Sequence, residues 1–206
     1  MASNIGVVGL GRMGAAFAAN LLADGYRVFV NDRDAERVRA LQAHGATASP
    51  QPRDLAECDI VLTSLPNDEA LADVALGDEG IVAVLQPGSV HVSTSTVSPA
   101  VSRRVAQAHV AHGQGYVAAP VLGNPDFARD RTLFILTGGK AAAVEKVRPV
   151  LERLGQRLFA IGEDAGSANL MKLAANVLTA TTLECMGEVL ALLRKGASTA
   201  TSLSTP

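Results

Sequence analysis

Only two cysteines occur, Cys58 and Cys185, in unrelated segments that match no metal-ligand or redox spacing. That scarcity leaves no metal to expect and makes a reducing cytoplasm the expected compartment. An excess of one charge sign is also missing. Lys and Arg number 18 against 20 Asp and Glu, a formal net charge of −2, so nothing here draws nucleic acid or an anionic membrane surface. No secretory signal is read ahead of the first apolar run, and no internal repeat is found. What remains is ordinary for a soluble globular protein: 48% apolar and 18% charged residues in a chain of 206. That length suffices for one α/β domain plus an appendage.

Apolar runs and breakers alternate along most of the chain. Strands are expected near 4–9, 27–31, 59–64, 89–94, 115–118, 132–137 and 156–161. Helices are expected near 12–24, 34–43, 67–75, 98–112 and 140–154. This rhythm predicts an α/β fold of Rossmann type, a doubly wound and mostly parallel sheet with helices on both faces, over residues 1–162. From Glu163 to Leu193 there is no proline and only two glycines, which predicts one long bridging helix over 163–195. The stretch Leu170 to Leu193 is apolar enough to raise the question of a membrane span. It carries Lys172, Asn176, Glu184 and Glu188, however, so a buried helix of a soluble protein is expected instead. Residues 196–206 are small and polar and read as a structureless tail.

The first apolar run ends in Gly9-Leu10-Gly11-Arg12-Met13-Gly14. In such a strand-to-helix turn Gly9 allows the tight reversal and Gly11 lets a pyrophosphate approach the backbone. Gly14 lets the helix pack close to the strand. The helix from Arg12 aims free N–H groups and its positive dipole end at the phosphates. The second strand ends at Asn31 and Asp32, 18 positions after Gly14, where a carboxylate can accept hydrogen bonds from an adenosine ribose. Together these elements predict dinucleotide binding. Asp32 opposes a 2′-phosphate and favours NAD, while Arg33 beside it keeps NADP open.

Ligands of open α/β sheets lie beyond the carboxyl ends of the strands. Three segments meet that requirement: Leu62 to Asn67, Ser93 to Pro99 and Ala118 to Pro125. Ser98 before Pro99 is explained as a helix cap, whereas Thr96 is better explained by a ligand. On the long helix Asn169, Lys172, Asn176 and Thr179 fall at helical spacing and read as one polar stripe. A lysine in a partly desolvated cleft has a lowered pKa and can donate a proton to a carbonyl oxygen receiving hydride. A solvated face is the competing reading of that stripe.

These segments resemble the β-hydroxyacid dehydrogenase family. Its G-L-G-x-M-G is matched by Gly9 to Gly14 and its A-x-N-L by Ala18-Ala19-Asn20-Leu21. Its proline loop is similar to Leu65-Pro66-Asn67 and its hydroxyl motif to Ser95-Thr96-Val97-Ser98-Pro99. Its helix motif G-x-G-x-x-x-K-x-x-x-N is similar to Gly166 through Lys172 to Asn176, with Ala168 at the second glycine. The resemblance implies Lys172 as general acid/base and Asn176 as its substrate-orienting neighbour. It implies Pro66 and Thr96 at the nicotinamide end, Leu65 among the cofactor-binding residues, and Ser95, Val121, Leu122 and Gly123 beside the substrate.

The departures are specific. The family's substrate loop D-A-P-V-S-G-G is here Ala118-Ala119-Pro120-Val121-Leu122-Gly123-Asn124, and leucine cannot donate to a substrate carboxylate. A glycine usual before the next strand is here Arg131. Arg129 or Arg131 offers replacement charge, or both are solvated loop residues. The family's second, all-helical domain is not found in the sequence. The expected function is an NAD(P)-dependent oxidoreductase interconverting a small carbonyl compound and its alcohol. An imine reductase-like enzyme and a shorter, non-catalytic dinucleotide-binding protein are the alternatives. Homo-oligomerisation or association through the long helix is expected in either case.

Overall fold

A strand, a glycine turn and a helix open the chain, and the computed structural model, which describes residues 4–202, extends that pattern through eight helices and nine strands. In order they are β1 (Asn4–Val8), α1 (Arg12–Ala23), β2 (Arg27–Asn31), α2 (Ala35–Gln42) and β3 (Thr47–Ala48). A 3-10 turn (Pro52–Leu55) leads to β4 (Ile60–Thr63), α3 (Asp68–Leu76), α4 (Ile81–Val84), β5 (Val90–Ser93) and α5 (Pro99–Ala111). Then follow β6 (Gly115–Ala118), β7 (Val121–Leu122), α6 (Pro125–Arg129), β8 (Leu133–Gly138), α7 (Ala141–Leu151), β9 (Gly155–Gly162) and α8 (Ala165–Ser202). The chain divides into two units between Lys172 and Leu173.

In the first unit the described strands form one sheet in the order β3-β2-β1-β4-β5-β6-β8-β7, with β9 on β8. From β3 to β6 all pairings are parallel, as the alternation predicts. β8 runs antiparallel to β6 and to β7, a reversal the sequence reading did not anticipate. β4 and β5 are buried along their whole length, which is why Ile60-Val61-Leu62 reads as an apolar run; β5 buries His91 and Ser93 as well. The chain winds outward from β1 to β2 and β3, then returns to β4 on the other side. The crevice beyond the carboxyl ends of β1 and β4 is therefore the topological switch point, the place where such sheets bind ligands.

Side chains of α1 fill the space over the sheet, with Ala16, Phe17, Ala18 and Leu21 buried. The predicted cap at Ser98 is present: its hydroxyl accepts from the Val101 N–H, with Pro99 in the first turn of α5. The reading left 119–131 without elements. There Asn124 caps α6 by accepting from the Asp126 and Phe127 N–H groups, and Pro125 opens the helix.

The second unit is helix α8 from Leu173 onward. From Asn176 to Gly196 every residue is exposed, so the expected burial of the 170–193 stretch is not found within this unit. Leu178, Leu183, Leu190 and Leu193 are all more than half exposed. By length and composition alone Ala165–Gly196 would reach across a membrane. The helix also continues to Ser202, through part of the expected polar tail, because no proline stops it and Gly196 costs only about 1 kcal/mol. Residues 203–206 of that tail lie outside the described residues.

Candidate functional site

The glycine turn is shaped by close approaches. Gly9 has φ of +85°, and a Cβ there would stand 2.4 Å from the Ser64 carbonyl oxygen. A Cβ on Gly14 would come within 1.9 Å of the Gly9 carbonyl oxygen. Gly11 differs: its added Cβ would meet nothing within 4 Å. No side chain caps the helix at Gly11, and no acidic residue stands in its first turn. An open, uncapped helix N-terminus lined by backbone fits a dinucleotide pyrophosphate, with Arg12 exposed beside it.

Asp32 fastens this turn to the end of β2. One carboxylate oxygen accepts from the Leu10 N–H at 2.6 Å and the other from the Asp34 N–H at 2.8 Å. Arg37 approaches the same carboxylate at 3.7 Å. Each oxygen keeps a further lone pair, so Asp32 can hold the turn and still accept from a ribose hydroxyl. Asn31 reaches from the strand end to the Ser49 carbonyl. Arg33 is exposed at the rim.

Across the switch point lies the loop after β4. Between it and the glycine turn opens a cleft of about 660 Å³, bounded by Gly11 and Arg12, by Leu65 and Pro66, and by Asp32 and Arg33 at one end. Gly9, Met13 and Asn31 also line it. Leu10, Gly14 and Thr96 do not. Leu10 and Gly14 are buried in support of the turn, and Thr96 is exposed one loop further on. A larger cavity, about 850 Å³, lies against α5 and α7 and contains none of the candidate residues.

The Leu65 N–H donates to the Ser95 hydroxyl at 2.8 Å, tying the β4 loop to the β5 loop that carries Thr96. The Ser95 carbonyl in turn accepts from the Asn169 side-chain amide at 3.4 Å. Asn169 is 1% exposed, so the first member of the presumed polar stripe is turned inward rather than solvated. Lys172 follows at i+3, half-buried, with no ion pair among the described residues. Partial burial holds its ammonium below the usual lysine value. Asn176 belongs to the second unit and is exposed, as is Thr179, whose hydroxyl turns back to the Ala175 carbonyl.

On the β7 side, Val121 and Leu122 are half-buried and pack into two different apolar clusters. Gly123 takes a φ of +135° against Leu133 and Phe127. Neither arginine of this region stands free to replace the missing serine. Arg129 pairs with Asp126. Arg131 grips both oxygens of Asp24 at 2.8 Å and also donates to the Asn20 carbonyl. Arg131 has φ of 61°, which accounts for a glycine being comfortable at that position.

The sequence reading missed a buried polar chain that runs from β4 and β5 into α5. Gln114 donates its amide to the Val82 and Leu85 carbonyls, so its oxygen faces His109 Nδ1 at 2.7 Å as an acceptor. His109 is then protonated at Nδ1 and accepts at Nε2 from His91 Nδ1, 2.8 Å away. His91 Nε2 accepts from the Thr63 hydroxyl at 3.0 Å. Burial lowers both rings, His109 to about 4 and His91 well below the ordinary histidine range. The available signal was a histidine inside the otherwise apolar run Val90-His91-Val92.

Comparison with known proteins accords with this geometry. A model of the NAD binding domain of 6-phosphogluconate dehydrogenase matches residues 4–162. The oxidoreductase YfjR of Bacillus subtilis (strain 168) is 38% identical over 192 residues, covering 93% of this chain and 67% of its own. The solved 3-hydroxyisobutyrate dehydrogenase of Mycobacterium tuberculosis with L-serine superposes at a TM-score of 0.87 with 30% identity, over 95% of this chain and 66% of that one. The chain belongs to the β-hydroxyacid dehydrogenase family. Its residues 4–162 are the NAD-binding domain of that family. A variant imine reductase from Myxococcus stipitatus in complex with NAD+ is also similar, with a TM-score of 0.87 and 29% identity over 94% of this chain and 66% of that one. The chain spans about two thirds of the length of the curated relatives it matches.

Proposed function

We propose that this β-hydroxyacid dehydrogenase family member interconverts a small aldehyde or keto compound and its alcohol, with Lys172 as general acid/base. The nicotinamide of the bound cofactor supplies or accepts the hydride. Lys172 Nζ gives a proton to the carbonyl oxygen in reduction and takes it back from the hydroxyl in oxidation. Partial burial makes this ammonium a stronger acid than one in water, and among the described residues it has no ion pair to hold the proton, which suits that exchange. This is the observation that carries the reading. Asn176, next on the helix after Lys172 by one turn, is assigned to substrate orientation, and Thr96 and Pro66 to the nicotinamide end.

Gly9, Gly11, Arg12 and Met13 are assigned to the pyrophosphate, and Asn31, Asp32 and Arg33 to the adenosine. The Asp32 carboxylate supports NAD, since a 2′-phosphate would face a negative charge held in place by two N–H groups. Arg33 supports the smaller share of NADP use.

Leu122 supports a second reading, an imine reductase-like activity on a less polar substrate, in keeping with the imine reductase neighbour. Both cysteines are free, which supports the cytoplasmic assignment. Turnover of NADH and NADPH against semialdehydes, 2-oxoacids and cyclic imines, with Lys172→Ala in parallel, tests these readings. Lysine-dependent turnover of carbonyl compounds is expected, with loss of at least about a hundredfold in kcat for Lys172→Ala. Tight cofactor binding with no turnover would establish the non-catalytic alternative.

A further inference from the structure

Three segments that the proposed function assigns to the reacting end of the site meet at one buried residue, Ser95. The Ser95 hydroxyl accepts from Leu65 and so holds the β4 loop, while its own carbonyl accepts from Asn169 on α8. The other end of the Asn169 amide accepts from the Ser102 hydroxyl at 2.7 Å, and the Tyr116 hydroxyl lies 3.1 Å from Ser102.

The directions of these bonds follow from one another. The Ser95 carbonyl can only accept, so the amide nitrogen of Asn169 faces it and the amide oxygen faces Ser102. Ser102 spends its only proton on that oxygen and must therefore accept from Tyr116. The phenol is buried, which keeps it protonated and able to donate. The result is a one-way chain, Tyr116 to Ser102 to Asn169 to the Ser95 carbonyl. Ser102, Tyr116, Ser95 and Asn169 are all buried, so water cannot substitute for a lost partner.

Lys172 stands one turn after Asn169 on the same helix, about 4.5 Å further along its axis. We infer that Asn169, oriented by Ser102, is a positioning residue that sets Lys172 in register with the Leu65 and Ser95–Thr96 loops. It acts through Ser95 and the helix, touching neither substrate nor cofactor. This inference rests on the reading of Lys172 as the acid/base group.

The test uses the full chain with Asn169→Ala, Ser102→Ala and Lys172→Ala. Hydrogen–deuterium exchange by mass spectrometry gives a readout that needs no turnover. For Asn169→Ala, faster exchange is expected in peptides covering 64–67, 94–97 and 165–172, and unchanged exchange in the β1–α1 turn. NADH affinity, read by its fluorescence, is expected to stay within about threefold, since the glycine turn and Asp32 are untouched, while kcat falls at least about tenfold at little-changed substrate KM. Ser102→Ala is expected to show the same pattern more weakly. It decides the matter should Asn169→Ala not fold.

Wild-type exchange in those three segments, or wild-type kcat, in the folded variants would overturn the inference. Uniformly faster exchange over the first unit would overturn it too, by showing a merely structural role. If Lys172→Ala keeps full turnover while the local exchange pattern appears, the acid/base reading fails and the coupling of the three segments stands. If Lys172→Ala is inactive and the other variants are unchanged, only the positioning inference fails.

Discussion

Single residues decide how this protein responds to acid. His91 and His109 are neutral in the fold and titrate near 6.5 when unfolded. The unfolded chain thus binds more protons below that value, and stability falls as pH falls. Stability from these rings is complete above about pH 7 and is lost progressively towards pH 4. From pH 6.5 to 5, His109 alone should cost about 2 kcal/mol, measured by urea unfolding at the two pH values. Replacement of both rings by Phe should flatten that dependence. Arg131 offers a second residue-scale case. Its left-handed backbone is strained by about 1 kcal/mol, and its partly exposed ion pair with Asp24 returns at most a similar amount. Arg131→Gly should therefore leave the unfolding midpoint nearly unchanged, whereas Arg131→Ala keeps the strain, loses the pair and should destabilise by about 1 kcal/mol.

At the scale of elements, the β1–α1 turn separates binding from folding within six residues. Gly11→Ala adds a methyl group that meets no protein atom, so the thermal midpoint should not move. The methyl would enter the space assigned to the pyrophosphate, and NADH binding by fluorescence titration should weaken at least about tenfold. Gly14→Ala drives a Cβ into the Gly9 carbonyl and should instead destabilise the fold by several kcal/mol, about the cost of severe overpacking. If both variants behaved alike, the division of labour within the turn would be wrong. The β4 and β5 loops are joined less directly, through the Ser95 hydroxyl and carbonyl, and α8 enters that arrangement through Asn169.

Across the whole molecule, the second unit carries a long apolar surface. Leu178, Leu183, Leu190 and Leu193 are exposed along α8, and surfaces of this kind favour association. Sedimentation velocity is expected to show species heavier than the monomer, increasing with concentration. The pair Leu183→Glu and Leu190→Glu should shift the distribution towards monomer and leave NADH binding as it was. A monomer at all concentrations in the unaltered chain would remove self-association from the reading.

Much of this was readable from the chain alone, and the reason is local. The glycine turn, Asp32 at the end of β2, the cap at Ser98 and the apolar run of β4 depend on neighbours a few positions away. Their meaning therefore survives without a structure. The parallel sheet followed from the alternation of period-3.6 and apolar segments. Tertiary structure decided what depends on distant partners. It turned Asn169 inward, because Ser95 and Ser102, 74 and 67 positions away, wait there with an acceptor and a donor. It tied Arg131 to Asp24 across 107 positions, removing it as a substitute for the missing serine. It joined His91 of β5 to His109 of α5, between Thr63 and Gln114, in the buried interior. Hydrogen bonds across such separations leave no periodic mark in a sequence, since each partner alone looks like an ordinary polar residue. The chain by itself determined the glycine turn and the carboxylate that fastens it, and only folding determined what Asn169, one turn before Lys172, is bonded to.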